Sequence, residues 1–210
     1  LDRCGAIALV VDVVSAGSRV PPTLTHTALK LGSALLAEGN RHAQATLRRR
    51  IGGYRGYGGR MMNKTPSDLF FRHAREIVRQ MDRAIAQARL RARKGLPPAG
   101  GYAQTLATYL EMVEFLRLWA EGHRRPMQEL LREQPLNRRS VNLVAAVAEL
   151  LDHWVPADEE AGLRDDELGH VYETLEFLVE TVQGPCAANQ YCIAIETSAL
   201  DVCRRVLSRK

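Results

Sequence analysis

Residues 173–192, ETLEFLVETVQGPCAANQYC, constrain the fold more than any other stretch, because they must form a helix, end it abruptly and start another. Leu175, Leu178, Val179 and Val182 recur at the i, i+3, i+4, i+7 spacing of one apolar helical face, beside a carboxylate stripe of Glu173, Glu176 and Glu180. Gly184 suits the left-handed geometry of a helix C-terminus. Pro185 cannot continue a helix but is well placed in the first turn of the next one.

Two other segments, ALLAEGNRHAQ and RLWAEGHRRPMQ, also run from helix through glycine to a polar cap, and in all three a glutamine follows the glycine by five or six residues. No strand pattern interrupts them. Helical hairpins joined by tight turns and stacked on one another bury a core that no single repeat closes. The expected fold class is therefore all-α, an armadillo-like helical-repeat solenoid.

The rest of the chain extends the pattern. GAIALVVDVVSA is apolar nearly all round, which predicts a buried helix ending before Gly17. After Pro21 and Pro22 a helix is expected with Leu24, Ala28, Leu31, Leu35 and Leu36 on one stripe, stopped at Gly39, and Asn40 is placed to cap the next. GGYRGYGGRMMNK holds five glycines and reads as a loop. Pro66 reopens a long helix with Phe70, Ala74, Ile77, Met81, Ile85 and Ala88 as its seam. Residues 95–101, GLPPAGG, are the one plausible linker, dividing helices of residues 1–94 from a second helical region at 102–210. There YAQTLATYLEMVEFLRLWAEG turns Leu106, Leu110, Val113, Phe115, Leu116 and Trp119 inward, Ser140 is placed to cap VNLVAAVAELLDHW, and Pro156 to end it. Residues 157–167 read as a polar loop whose last acids meet the positive end of the next helix. The pattern breaks off mid-helix near Lys210, as a truncated domain would.

Charge divides at the same place: residues 1–100 carry 18 Lys/Arg against 6 Asp/Glu, and residues 101–210 carry 11 against 18. Solvated faces, mutual attraction of the halves and an anionic partner all fit this split. No apolar run reaches the ~18–20 residues that span a bilayer, and no signal-peptide pattern opens the chain. Four scattered cysteines make no disulfide framework and favour a reducing compartment.

No enzyme signature emerges. His26, His42, His73, His123, His153 and His170 show no i, i+4 pairing, and neither a nucleophile motif nor a phosphate-cradling glycine loop is present. Cys186 and Cys192 are too widely spaced for a usual zinc pair and read as buried thiols, so no zinc is expected. GGYRGYGGR resembles one copy of an arginine-glycine RNA-binding tract, but a flexible loop explains it, and no nucleic-acid partner is expected. Arg138, Arg139 and Ser140 form a possible basic-directed phosphorylation site, set against the capping role of the same serine.

The word LVETVQGPCAANQYCIA resembles the QGPC-x-x-NQ segment of inositol trisphosphate and ryanodine receptors, the intracellular calcium-release channels. LDRCGAIALVVDVVSA, ALLAEGNRHAQATL and LFFRHAREIVRQMDRAIAQA are similar to successive helices of that family. FLRLWAEGHRRPMQELLREQ, SVNLVAAVAELLD and ETLEFLVETVQGPCAANQ resemble the domain called ryanodine and inositol trisphosphate receptor homology associated. The likeness is closer to inositol trisphosphate receptors, although residues 95–101 stand where those often carry a long polar insertion.

The resemblance implies a cytosolic part of a ligand-gated channel of the endoplasmic reticulum membrane, coupling ligand and calcium binding to the pore. Its partners would be the remaining domains of the same subunit within a homotetramer, and it would meet the membrane only through a pore domain outside this sequence. Glu180 holds the position of a glutamate that contributes to an activating calcium site, the other ligands being expected outside this chain. A solvated carboxylate is what spacing alone implies for it. A stand-alone helical scaffold binding a peptide or acidic partner is the alternative reading, and an RNA-binding module a more distant one.

Overall fold

The computed structural model describes residues 5–51, 66–155, 165–184 and 186–208, and every regular element among them is a helix. Ten α-helices fall into three successive triplets and the start of a fourth. The first is α1 (Ala6–Ala16), α2 (Pro22–Leu36) and α3 (Arg41–Ile51); the second is α4 (Pro66–Ala92), α5 (Tyr102–Ala120) and α6 (Arg125–Arg132). The third is α7 (Leu143–Trp154), α8 (Asp165–Val182) and α9 (Ala187–Tyr191). A π-helical turn, Cys192–Glu196, then leads to α10 (Ala199–Ser208).

Equivalent helices stack in rows. α2 packs on α5 and α5 on α8, while α1 packs on α4, α4 on α7 and α7 on α10. This is an armadillo-like solenoid of three-helix units. One hydrophobic core runs through all three units, from Ile7 and Val10 to Phe177 and Val202. Residues 95–101 join α4 to α5, two helices of one triplet that pack on each other. Polar ties reinforce the rows: Arg89 of α4 donates to the Trp154 carbonyl at the end of α7 (2.8 Å), and Asp152 of α7 binds Ser198 and Arg205 around α10.

α5 is the middle helix of the middle unit. Tyr109, Met112, Val113, Phe115, Leu116, Leu118, Trp119 and Ala120 are all buried, which leaves only the stripe of Glu111, Glu114 and Arg117 partly open to solvent along its second half. Phe70 and Phe71 of α4 meet Phe115 and Trp119 there, with ring centroids 5.5–6.4 Å apart in edge and tilted arrangements.

Most of the expected boundaries are observed, and Asn40 caps α3 by accepting from Ala43 N at 3.2 Å. Three expectations are corrected. In α8 the buried face is Val171, Thr174, Phe177, Leu178 and Thr181, while Val179 is exposed and Leu175 and Val182 are half-buried. The inward face of α2 is Thr25, Ala28, Leu29, Gly32, Ser33 and Leu36, whereas Leu24 and Leu31 are exposed. The helix is rotated because its small residues, not its leucines, let α5 approach: Phe115 lies over Gly32, and Ser33 donates to Glu111 at 2.7 Å. Asn142, not Ser140, caps α7, accepting from Ala145 N at 2.9 Å. Ser140 is taken by Gln134, whose backbone N–H donates to its hydroxyl at 2.9 Å.

The contact at Gly32 reverses an ordinary rule. Alanine in place of a helical glycine usually adds about 1 kcal/mol of stability. Here the added Cβ would lie 2.5 Å from Phe115 Cε2, and the ring is fully buried between Phe70 and Trp119. Overpacking costs about 1–3 kcal/mol, so Gly32→Ala is expected to lower the thermal midpoint. A raised midpoint would mean that the Phe115 ring yields.

Candidate functional site

The end of α8 shows why the QGPC-x-x-NQ word has its glycine, its asparagine and its last glutamine. A helix leaves its last carbonyls without partners, and here the chain reverses at Gly184 (φ +76°) where they must be satisfied. Gln128 Nε2 donates to the Glu180 and Gln183 carbonyls (2.9 and 2.8 Å), and Asn189 Nδ2 to that of Thr181 (3.0 Å). Gln190 Nε2 takes those of Val182 and Gly184 (3.0 and 3.1 Å). All five carbonyls from Glu180 to Gly184 therefore accept from a side-chain amide. Asn189, fully buried, also donates to the Gln128 carbonyl (3.0 Å) and accepts from Arg132 Nε (3.2 Å), locking α6 and α9 to the turn.

The same device stands one unit earlier. Gln44 Nε2 donates to the Leu118 and Glu121 carbonyls (3.1 and 2.9 Å), four and one residues before Gly122. Gln128 binds carbonyls four and one residues before Gly184. Gln44 and Gln128 are each the fourth residue of their helix, α3 and α6, and each is buried. The glutamine of one unit thus holds the helix end of the next.

Glu180 sits in the last turn of α8 with its side chain only 14% exposed. Its Oε1 is fully buried and has no hydrogen-bond partner, and His123 Nδ1 is 3.7 Å away, beyond hydrogen-bond reach. His123 occupies a left-handed conformation (φ +55°) and packs against Gly184, where an added Cβ would come within 3.2 Å of the histidine Cβ. The two turns therefore touch, and a side chain at position 184 would push them apart. Glu121, on the turn before His123, accepts from Gly39 N at 3.0 Å. Arg117 lies between these groups. Its bidentate hydrogen bond to Glu114 (2.6 and 2.8 Å) raises its pKa above the ordinary value, burial opposes this, and the charges of Glu114, Glu121 and Glu180 add to it.

A desolvated carboxylate oxygen without a donor is costly, and oxygen of this kind is the usual ligand of a hard cation such as calcium. The orphaned Oε1 of Glu180 fits that role. One carboxylate supplies at most two of the six to eight oxygens calcium takes. No group of three or more His, Cys, Asp or Glu among the described residues is arranged to hold a metal ion. Glu173 is exposed and Glu176 and Glu180 are both half-buried; Glu180 is the one whose approach to His123 of the neighbouring turn is seen among the described residues.

Cys186 and Cys192 are buried free thiols. Asn142 Nδ2 donates to Cys192 Sγ at 3.3 Å, while burial pushes that thiol's pKa up. The glycine-rich tract at 52–60, Pro156, Pro185 and the polar loop at 157–164 lie outside the described residues. The resemblance singled out Glu180, which the structure places against His123 of the neighbouring turn; Glu121, His123 and the capping roles of the two glutamines were not singled out. Their signal was the shared helix-glycine-glutamine pattern, which contains all four.

Residues 103–207, half of the 210-residue chain, match the family described as RyR and IP3R Homology associated.

Proposed function

The chain belongs to the RyR and IP3R homology associated family, and we propose that it is a non-catalytic, cytosolic regulatory part of an intracellular ligand-gated calcium-release channel. In this reading it couples ligand and calcium binding to a pore carried elsewhere in the same subunit, within a homotetramer of the endoplasmic reticulum membrane. No helix among its described residues is long and apolar enough to cross a membrane. Stacked three-helix units suit the coupling role because packed helices shift as rigid bodies.

The observation that carries the calcium part is the buried, unpartnered Oε1 of Glu180 at the touching turns. Glu180 would supply one carboxylate to a calcium ion there, held at the end of α8, with His123 and Arg117 setting the local field, and the remaining ligands would come from the rest of the channel.

The test is Glu180→Gln in the tetrameric channel, read by single-channel recording across a calcium series. The substitution removes one charge with little change of shape, and affinity at such sites follows ligand charge. The half-activating calcium concentration is expected to rise about tenfold or more, with assembly intact. An activation curve identical to that of the unaltered channel would return Glu180 to a purely structural role.

A further inference from the structure

We infer that Gln128 is a positioning residue for Glu180, fixing the backbone from which its carboxylate projects; this rests on the calcium reading above. The side chain of Gln128 is completely buried, and its amide grips the carbonyl of Glu180 itself as well as that of Gln183. The grip crosses between units, from α6 to the end of α8. Gln44 does the same for Glu121, the other acid at the paired turns, at 2.9 Å. Of the carbonyls these amides have in reach along each helix end, one in each pair belongs to a glutamate whose charge bears on Arg117.

A helix C-terminus is where backbone frays most readily, because its carbonyls lack intrahelical partners. Glu180 lies in such a terminal turn and its carboxylate has no hydrogen bond on Oε1 to fix it. What orders the carboxylate is therefore the ordering of its backbone. Outer-shell groups that orient a ligand commonly change metal affinity by about 10–100-fold when removed, and Gln128 acts one bond further out, through the main chain.

The experiment replaces Gln128 with methionine in the tetrameric channel, keeping length and bulk while deleting both N–H donors. The half-activating calcium concentration is expected to rise about tenfold, the lower end of that range. Gln134→Met is the matched control. Gln134 is also buried, and its amide holds Leu130 O and both backbone groups of Val141 in the loop before α7. That variant is expected to lower thermal stability and leave the calcium curve in place.

If Glu180→Gln moves the curve and Gln128→Met does not, the positioning role is overturned while the calcium reading stands. An equal shift in Gln134→Met would also overturn it, by reducing the effect to general loosening. If neither Glu180→Gln nor Gln128→Met moves the curve, both readings fall. Should Gln128→Met fail to assemble, Gln128→His, which retains one ring N–H donor, is read instead: a rise smaller than tenfold supports the inference, and an unmoved curve overturns it.

Discussion

Asn189→Leu is expected to lower the unfolding free energy by about 3 kcal/mol, measured by urea denaturation of the isolated chain. Leucine has nearly the same shape and would gain apolar contact in this fully buried position, so packing alone predicts little loss. Hydrogen bonding decides the sign. The amide donates to the carbonyls of Gln128 and Thr181 at 3.0 Å each, and leucine would leave both without that partner. A buried polar group stripped of its partner costs about 1–3 kcal/mol. Arg132, which loses its acceptor, is partly exposed and can turn to water, so it adds little. A change below about 1 kcal/mol would show that water replaces the amide.

Trp119→Ala is expected to cost about 3–5 kcal/mol, a large fraction of the 5–15 kcal/mol that ordinarily separates folded from unfolded domains. Trp119 is fully buried and meets Phe70, Phe71 and Phe115 where the second unit joins the first. Its removal opens a cavity among rings that cannot collapse without moving α4 against α5. Trp119→Phe should be far milder, for a particular reason. The indole Nε1–H is buried with no acceptor, so phenylalanine removes an unsatisfied donor together with the lost volume. Thermal unfolding of the pair checks this: similar losses in both variants would mean that the indole has a partner in solution.

Much of this fold is legible in one dimension because its punctuation is local. Asn40, Gly122 and Gly184 mark helix ends by capping and left-handed geometry, which depend on a few consecutive residues. What is not legible is which face a helix turns to which neighbour. In α2 the leucine stripe suggested a core face, but a glycine and a serine form the contact because α5 needs room for Phe115. In α5 the inward residues Val113, Phe115, Leu116 and Trp119 are legible, but which neighbouring helix each one meets is not.

The site follows the same division. Glu180 was singled out through a short word, whereas its surroundings are built by hydrogen bonds across large separations. Gln44 reaches 74 and 77 residues along the chain, and Gln128 reaches 52 and 55. The glutamines follow their glycines by five or six residues, but nothing in that spacing says that Gln44 and Gln128 serve the next unit whereas Gln190 serves its own.

The glutamine rungs also free the chain from having to keep time. Gly39 and Gly122 are 83 residues apart and Gly122 and Gly184 only 62, yet both rungs close on carbonyls four and one residues before the glycine. Registration is reset at every turn, so length gained or lost between turns does not accumulate as error. The connection at 95–101 is largely exposed and sits between two such reset points. Each doubling of a flexible connection costs only about 0.6 kcal/mol of closure entropy. A solenoid pinned in this way can take in or shed whole stretches of sequence between its helices while the surfaces that carry Glu121 and Glu180 stay in step.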